Sequence, residues 1–218
     1  KTTGHLRAQI LYYMGENLTA RADEFARRID DMTGKRGGKV EVEAAIDRLF
    51  TWAAWADKHD GRAKGVPIRG IALAMNEPVG KIGAFAPDDS PLLGLVSVIA
   101  PAMAIGNRIT VMASEPFPLA ATDFYQVLDT SDVPGGVVNI LTGAHEDLAA
   151  QMAGHQDIEA VWSFSSSDLS ATIEQEAAGN LKRTWVNNGR SRDWSGADAP
   201  AFLAAATEIK TIWVPYGE

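Results

Sequence analysis

The strongest constraint on the fold is a regular alternation of short apolar segments and helical segments in the second half of the chain. Repeated strand–helix units of this kind indicate an open, mostly parallel sheet with helices on both faces. Such sheets bind ligands beyond the carboxyl ends of their strands, so a site is expected at that edge. The predicted strands are 81–86, 108–113, 136–141, 159–164 and 182–187, and the predicted helices are 91–105, 118–128, 146–154 and 168–178.

The rest of the chain adds a helical first third and two strands outside the alternating region. Apolar residues recur at helical spacing through residues 6–32, with a predicted break at 15–17, and again through 40–58. Residues 68–77 and 209–214 partly alternate between apolar and polar side chains, which is typical of strands. A terminal strand has to join a sheet, so the second strand is predicted to pair with the first or with a partner's sheet edge.

Composition excludes several classes of function. The 218 residues include no cysteine, so thiolate nucleophiles, thiolate metal sites and dithiol redox chemistry are impossible within this chain. The net charge is −8 and the basic residues form no stripe, which opposes nucleic-acid binding. The longest apolar stretch, 92–106, contains Pro101 and is shorter than the roughly 20 residues of a membrane span. We expect a cytoplasmic protein that binds neither nucleic acid nor membrane.

Three segments resemble motifs of one enzyme superfamily in their order and spacing. Residues 77–83 read EPVGKIG, residues 90–107 begin SPLL and end APAMAIGN, and residues 134–143 read PGGVVNILTG. Each resembles a stretch of the dinucleotide-binding domain of aldehyde dehydrogenases. Weaker likeness at three further segments extends the resemblance over nearly the whole chain; these segments are 7–11, 176–183 and 207–211.

The resemblance implies both a fold and an omission. It implies a Rossmann-like domain at 1–193, interrupted at 67–78 by a strand that pairs with 207–218 in a β arm for oligomerisation. In the family a long catalytic segment with the cysteine nucleophile precedes the tail, whereas here only 188–207 intervene. The chain therefore resembles the truncated, cysteine-free second unit of family 16 aldehyde dehydrogenases. Its start at Lys1 suggests a piece of such a polypeptide.

By the same resemblance, two positions that carry catalysis in the family hold unsuitable residues here. Asp89 stands in place of an asparagine whose amide stabilises the oxyanion, and a carboxylate would repel the developing negative charge. Val186 stands in place of the general-base glutamate and cannot accept a proton. We therefore expect no catalytic residue in this chain.

The positions that bind the cofactor in the family are also altered. Met112 replaces a lysine that holds the adenosine ribose, although Glu115, the second ribose ligand, remains. Ser165 and Ser170 replace the two glycines of the turn that admits the pyrophosphate, and each added Cβ narrows that path. We therefore expect no cofactor of its own for this chain, and NAD for the catalytic partner domain.

Polar residues near the strand ends have a functional and a structural interpretation. Asp88 and Asp89 could form a carboxylate pair, but Ser90 as a helix cap and Pro91 as the first helical residue explain the segment without one. The serine run 165–167 could hold a nucleophile or a phosphate, but no paired His or Lys accompanies it, and a helix cap with Asp168 in the first turn explains it. The structural interpretation is favoured for both, and no metal site is predicted.

Isolated histidines and the tryptophans lead to further expectations. The histidines form no metal-binding pair and are expected at the surface; they are His5, His59, His145 and His155. Trp52 and Trp55, at helical spacing, are expected in the core. Trp194 and Trp213 are candidates for an interface, where aromatic anchors concentrate.

Together these observations predict a non-catalytic pseudoenzyme domain that assembles or supports an NAD-dependent aldehyde dehydrogenase. The predicted partner is a complete dehydrogenase domain of the same polypeptide or another subunit, reached through the β arm, within a homodimer. One alternative is that the chain is part of an active aldehyde dehydrogenase polypeptide, an oxidoreductase. Another is a weak NAD- or nucleotide-binding module, which Glu115 and Gly143 favour. An independent hydrolase that uses Asp88, Asp89 or Ser166 is disfavoured.

Overall fold

A computed structural model describes residues 2–196 and 199–216. The described residues exclude Lys1, Gly217 and Glu218. The expectation drawn from Lys1 and the outer end of the predicted arm segment 207–218 therefore lie outside them. The helices are α1 Gly4–Ala20, α2 Ala22–Thr33, α3 Gly38–Trp55, α4 Leu93–Ile105, α5 Leu119–Asp129, α6 His145–Gly154, α7 Ser167–Ala177 and α8 Ala199–Ala206. The strands are β1 Gly61–Gly65, β2 Gly70–Pro78, β3 Lys81–Phe85, β4 Arg108–Met112, β5 Val138–Leu141, β6 Ala160–Ser163, β7 Arg183–Val186 and β8 Thr207–Pro215.

Five strands form the open parallel sheet that the alternating pattern predicts. Their order is β5-β4-β3-β6-β7, and every neighbouring pair is parallel. Helices cover both faces: α4 and the first three helices enclose the larger core, and α6 and α7 cover a smaller cluster around Phe85 and Met112. The predicted α/β, Rossmann-like class is confirmed.

Helix α4 is the centre of the larger core, as its uninterrupted apolar sequence predicts. All of its residues are buried, including Pro101 within the helix. The prediction for its start is wrong, because Ser90 and Pro91 form a turn before the helix and no side chain from that turn caps it. The cap comes from α3 instead: the Glu41 carboxylate accepts hydrogen bonds from the N–H groups of Leu92 at 2.8 Å and Leu93 at 3.0 Å.

The predicted break at 15–17 is also absent, since α1 runs through it and ends before Arg21. Gly15 is buried, and a Cβ atom placed on it would lie 3.0 Å from the Phe50 ring of α3. The glycine therefore allows close packing of two helices and does not interrupt the first one.

A separate three-stranded antiparallel sheet has the order β1-β2-β8. Its long pairing places Leu73 beside Ile212 and Ile71 beside Val214, so the predicted pairing of the tail with the earlier strand is confirmed. Strand β1 was not predicted, because Arg62 and Lys64 between glycines give no apolar alternation. We call this sheet, formed by β1, β2 and β8, the arm sheet.

The segment after β7 returns to the core of the main domain. Trp194, a candidate for an interface, is only 4% exposed, and its ring centroid lies 5.0 Å from that of Phe164. Phe202 of α8 packs among Trp52, Trp162 and Trp185. Trp52 is buried as predicted, whereas Trp55, also predicted in the core, is 36% exposed.

Trp213, the second interface candidate, is 57% exposed on β8. No helix in the described part of the chain is both long and apolar enough to cross a membrane.

Candidate functional site

Asp88, one of the two residues of the possible carboxylate pair, connects the carboxyl ends of β3 and β4. The Asp88 carboxylate accepts one hydrogen bond from the Ser114 hydroxyl at 2.8 Å and another from the backbone N–H of Glu115 at 3.1 Å. Asp89, which the resemblance predicts at the family's oxyanion position, is exposed. Among residues 2–196 and 199–216 no group of three or more His, Asp or Glu side chains could hold a metal ion. Asp88 therefore holds two turns together.

Glu115, which the resemblance predicts at the family's ribose position, is engaged in a structural contact. Glu115 Oε2 accepts the backbone N–H of His145 at 3.0 Å, at the start of α6. The prediction of a surface histidine is wrong for His145, which is 4% exposed with its Nε2 2.7 Å from the carbonyl oxygen of Ala113. Because a carbonyl only accepts, Nε2 carries the proton. Glu115 and His145 thus connect the end of β4 to α6.

Met112, which the resemblance predicts at the position of the family's ribose-binding lysine, is fully buried. It packs in the smaller cluster with Phe85, Val161 and Leu169. Burying an ammonium group among these side chains would be costly, so the methionine fits this position as a core residue. Val186, which the resemblance predicts at the general-base position, packs partly buried against the same cluster.

The serine run at the end of β6 starts a helix, as the structural interpretation predicts. Ser166 is the cap of α7, and its hydroxyl oxygen accepts the N–H of Leu169 at 3.1 Å. Asp168 lies in the first turn, where a negative charge is favourable. Ser165 is half-buried beside this cap.

The first turn of α7 is in contact with the chain's own backbone. A turn at residues 187–190 follows β7, and the N–H of Asn188 donates to the hydroxyl of the fully buried Ser170 at 3.2 Å. A Cβ placed on Gly189 would lie 3.2 Å from the backbone nitrogen of Ser167, so this turn lies directly against the helix start. Gly189 has φ +70°, a conformation that favours glycine.

Sequence reasoning missed two arginines that fix the segment after this turn. Arg48 of α3 is buried, and its guanidinium donates to the Ser97 hydroxyl at 2.9 Å and to the carbonyls of Trp194 at 2.7 Å and Gly196 at 2.9 Å. Burial is the main cause that lowers the pKa of Arg48, and the charge of Arg192 adds to it. Its position between Ala45, Leu49 and Trp52 on the buried face was the available signal.

The second arginine lies over an aromatic cluster at the ends of β6 and β7. The guanidinium carbon of Arg192 is 5.6, 5.3, 5.5 and 5.2 Å from four ring centroids. The rings belong, in that order, to Phe164, Trp185, Trp194 and Phe202. These cation–π contacts hold residues 190–196 at the carboxyl edge of the sheet.

Comparison with known proteins places this geometry in one family. The chain is 28% identical over 206 residues to the NADP/NAD-dependent aldehyde dehydrogenase PuuC of Escherichia coli K12, which covers 92% of this chain and 42% of that protein. It is 36% identical over 171 residues to aldehyde dehydrogenase 1A1 of Gallus gallus, covering 76% of this chain and 33% of the relative. The chain thus spans less than half the length of these relatives.

A crystal structure of betaine aldehyde dehydrogenase from Staphylococcus aureus, in complex with NAD+, superimposes with a TM-score of 0.81 at 24% identity. The superposition covers 85% of this chain and 37% of that one, and it shows the shared fold. PnpE from Pseudomonas sp. WBC-3 gives the same TM-score of 0.81 at 23% identity, over 84% and 38%. Residues 1–193 match the model of the Aldehyde dehydrogenase family, and the chain belongs to that family.

Proposed function

We propose that this chain is a non-catalytic domain that supports the assembly of an NAD-dependent aldehyde dehydrogenase, and that it contacts its partner through the arm sheet. The observation that carries the proposal is an exposed apolar face on that sheet. Side chains alternate between the two faces of a strand, so the paired residues Ile71 and Val214, and Leu73 and Ile212, share one face with Met75.

This face is unusually apolar for a surface. Ile71, Met75, Ile212 and Val214 are each between 37% and 43% exposed. The β1 residues opposite this row are small, since Gly61 pairs with Met75 and Ala63 pairs with Leu73. Lys210 is the register partner of Met75 and borders this group of apolar side chains. Exposed apolar side chains grouped on one face are typical of a protein interface.

The contacts at the carboxyl edge support the absence of cofactor chemistry in this chain. The residues there do not fit a dinucleotide bound in the family's manner, because the Ser170 hydroxyl is bonded to Asn188 and Gly189 of the same turn lies close to the start of α7. Glu115 is engaged with His145, and Met112 belongs to the core. With no cysteine in the sequence, we assign no catalytic step to this chain.

The partner that we propose is a complete, cysteine-containing dehydrogenase unit of the same polypeptide or of another subunit, within a homodimer. The resemblance to the second unit of family 16 aldehyde dehydrogenases supports this arrangement, as does the fact that PuuC has more than twice the matched length. In this proposal NAD and the aldehyde bind to the partner unit, and the parent polypeptide is an active oxidoreductase.

The test of the interface is the affinity between this chain and that dehydrogenase unit, measured by biolayer interferometry. Ile212→Asp places a carboxylate on the apolar face and is expected to weaken binding at least roughly a hundredfold, since a buried unpaired charge is costly. Thr211→Asp, on the opposite face of the same strand, is the matched control and is expected to bind as the unaltered chain does. Equal losses in both variants would exclude the apolar face as the contact.

A weak nucleotide-binding module is the alternative that Glu115 supports. Calorimetric titration of the isolated chain with NAD separates the two functions. Our proposal expects no binding tighter than about 0.1 mM, equivalent to roughly 5.5 kcal/mol. Tighter binding that is lost in Glu115→Gln would establish the nucleotide module instead.

A further inference from the structure

A cleft of about 1000 Å³ lies between α8, β7 and the start of β8. It borders Arg183, the first residue of β7, and is therefore at the opposite end of that strand from the turn at 187–190. Its volume is at the upper end of the range typical of small-molecule pockets. The cleft is separate from the apolar face of the arm sheet, so a ligand could bind in it whether or not the proposed function holds.

The walls of the cleft are mainly apolar. Trp162 and Trp185 pack edge to face, with ring centroids 5.8 Å apart, and both line the cleft. Leu203 of α8 and Ile209 of β8 form other parts of the wall, and Ala204 is exposed along it. A hydrocarbon chain or an aromatic ring in this space would be removed from water on several sides.

One end of the cleft is polar and carries a positive charge. His59 Nε2 lies 3.2 Å from the Thr207 hydroxyl, and Arg183 donates to the Thr207 carbonyl oxygen at 2.6 Å. The side-chain amide of Asn76 also lines this end, 3.5 Å from the carbonyl oxygen of His59. A guanidinium, an imidazole, a hydroxyl and an amide are thus grouped at one end of an apolar space.

The one acidic residue that borders the cleft points away from it. Glu208 lies between Thr207 and Ile209 on β8, so its side chain is on the other face of the strand. On that face it is the register partner of Glu77, whose Oε1 is 3.3 Å from Lys210 Nζ. Among the described residues that line the cleft, the polar end therefore presents a cation and hydrogen-bond donors without an opposing carboxylate.

We propose that this cleft binds an amphipathic monocarboxylate, with the carboxylate at Arg183, His59 and Thr207 and the apolar body against Trp185 and Leu203. Arginine is well suited to carboxylates because its N–H groups match the two oxygens. A single arginine with a neutral or protonated imidazole balances one negative charge. The long apolar wall selects a ligand with a hydrocarbon or aromatic body.

The ionisation of His59 supplies an independent readout. Burial is the main cause that lowers the pKa of His59, while the charges of Asp60 and Arg62 raise and lower it respectively. A carboxylate bound beside the ring would favour the protonated form, so the His59 pKa is expected to rise on binding. The NMR titration of the ring protons, assigned with a His59→Gln spectrum, measures that pKa with and without ligand.

The experiment uses the full chain with three probes: octanoate, 4-phenylbutyrate and the uncharged 1-octanol. Saturable binding of either carboxylate, at least roughly tenfold tighter than that of 1-octanol and accompanied by a higher His59 pKa, is the expected result. Equal binding of octanoate and 1-octanol, or no saturable binding of either carboxylate, would overturn the proposal.

Substitutions at two positions, Arg183 and Ala204, localise the binding. Arg183→Met is expected to weaken carboxylate binding at least roughly tenfold, and Arg183→Lys to weaken it less, because the charge remains. Arg190→Met, at an exposed position after β7, is the matched control and is expected to bind normally. Ala204→Trp fills the cleft from the exposed side of α8 and is expected to block binding while Arg183 is intact. Normal binding in Ala204→Trp would place the ligand elsewhere.

Discussion

At the scale of single residues, Glu41 shows how a contact distant in sequence replaces a local one. The turn before α4 provides no capping side chain, and the Glu41 carboxylate accepts the N–H groups of Leu92 and Leu93. The exposed N–H groups of a helix start otherwise need a side chain or water. Glu41 therefore connects α3 to the start of the most buried helix in the domain.

Removing this carboxylate should destabilise the domain. Glu41→Ala is expected to lower the free energy of unfolding by about 1–2 kcal/mol, the range typical of a lost helix cap. Urea denaturation followed by circular dichroism measures the change. Glu43→Ala, on the exposed side of the same helix, is the control and should change stability by less than about 0.5 kcal/mol. Similar effects of both substitutions would contradict a specific role for Glu41.

The ionisation of Glu41 predicts a pH dependence. Burial is the main cause that raises the pKa of this carboxyl group above its ordinary 4.5, and nearby Asp89 adds to it, although the two backbone hydrogen bonds oppose the shift. Between 4.5 and the raised value the folded chain holds more protons on Glu41 than the unfolded chain does. The part of the stability that comes from protonation of Glu41, as distinct from its two capping hydrogen bonds, is therefore present below pH 4.5 and is lost as the pH rises through the folded-state pKa.

This dependence can be isolated by substitution. The difference in unfolding free energy between the unaltered chain and Glu41→Gln is expected to fall as the pH is raised through that interval, because glutamine does not ionise. Parallel pH profiles of the two proteins would show that Glu41 titrates alike in the folded and unfolded states.

At the scale of elements, the contacts at the start of α7 indicate that Ser165 and Ser170 alone would not account for the expected lack of NAD binding. The turn at 187–190 lies against the same helix start. Gly189 would therefore remain close to the first turn of α7 even if both serines were replaced by glycine. The double change Ser165→Gly with Ser170→Gly is therefore expected to leave NAD affinity unchanged in a calorimetric titration. A gain of tenfold or more, about 1.4 kcal/mol, would show that the serines were the obstacle.

The elements also show how far sequence reasoning reaches. Strands β3 to β7 and helices α4 to α7 followed from periodicity, because each buries an apolar face whose repeat is visible in the residues. Strand β1 could not be predicted from its side chains, because its pairing with β2 depends on backbone hydrogen bonds. Glycine and lysine form such hydrogen bonds as well as valine does. The break predicted at Gly15 is wrong, because the small size of this glycine allows α1 to pack closely against Phe50.

The candidate site was less predictable than the fold. The capping role of Ser166 followed from local chemistry, whereas the buried state of His145 and Trp194 did not. Both depend on partners far along the chain: Ala113 and Glu115 for the histidine, and Arg48 for the backbone of the tryptophan. Contacts of this kind cannot be predicted from the residues that neighbour each side chain in the sequence.

At the scale of the whole molecule, Arg48 connects the first third of the chain to its last segment. Its guanidinium contacts Ser97 in α4 and two carbonyls after β7, so three parts of the sequence meet at one buried cation. The segment that it holds leads directly into α8 and β8. Arg48 is therefore the link between the core of the main domain and the strand that completes the arm sheet.

Loss of this cation should destabilise the chain. It should also weaken the attachment of the last segment more than the packing of the core. Arg48→Met keeps an apolar stem but leaves the Ser97 hydroxyl and two carbonyls without their donor, which is expected to cost roughly 3 kcal/mol or more. Hydrogen exchange should increase first in residues 190–196 and 199–215, because their attachment is weakened while α4 keeps its packing. Arg27→Met, at an exposed position on α2, is the control. Uniform acceleration of exchange through α4 and the tail together would mean that Arg48 supports the whole core and has no special role in attaching the tail.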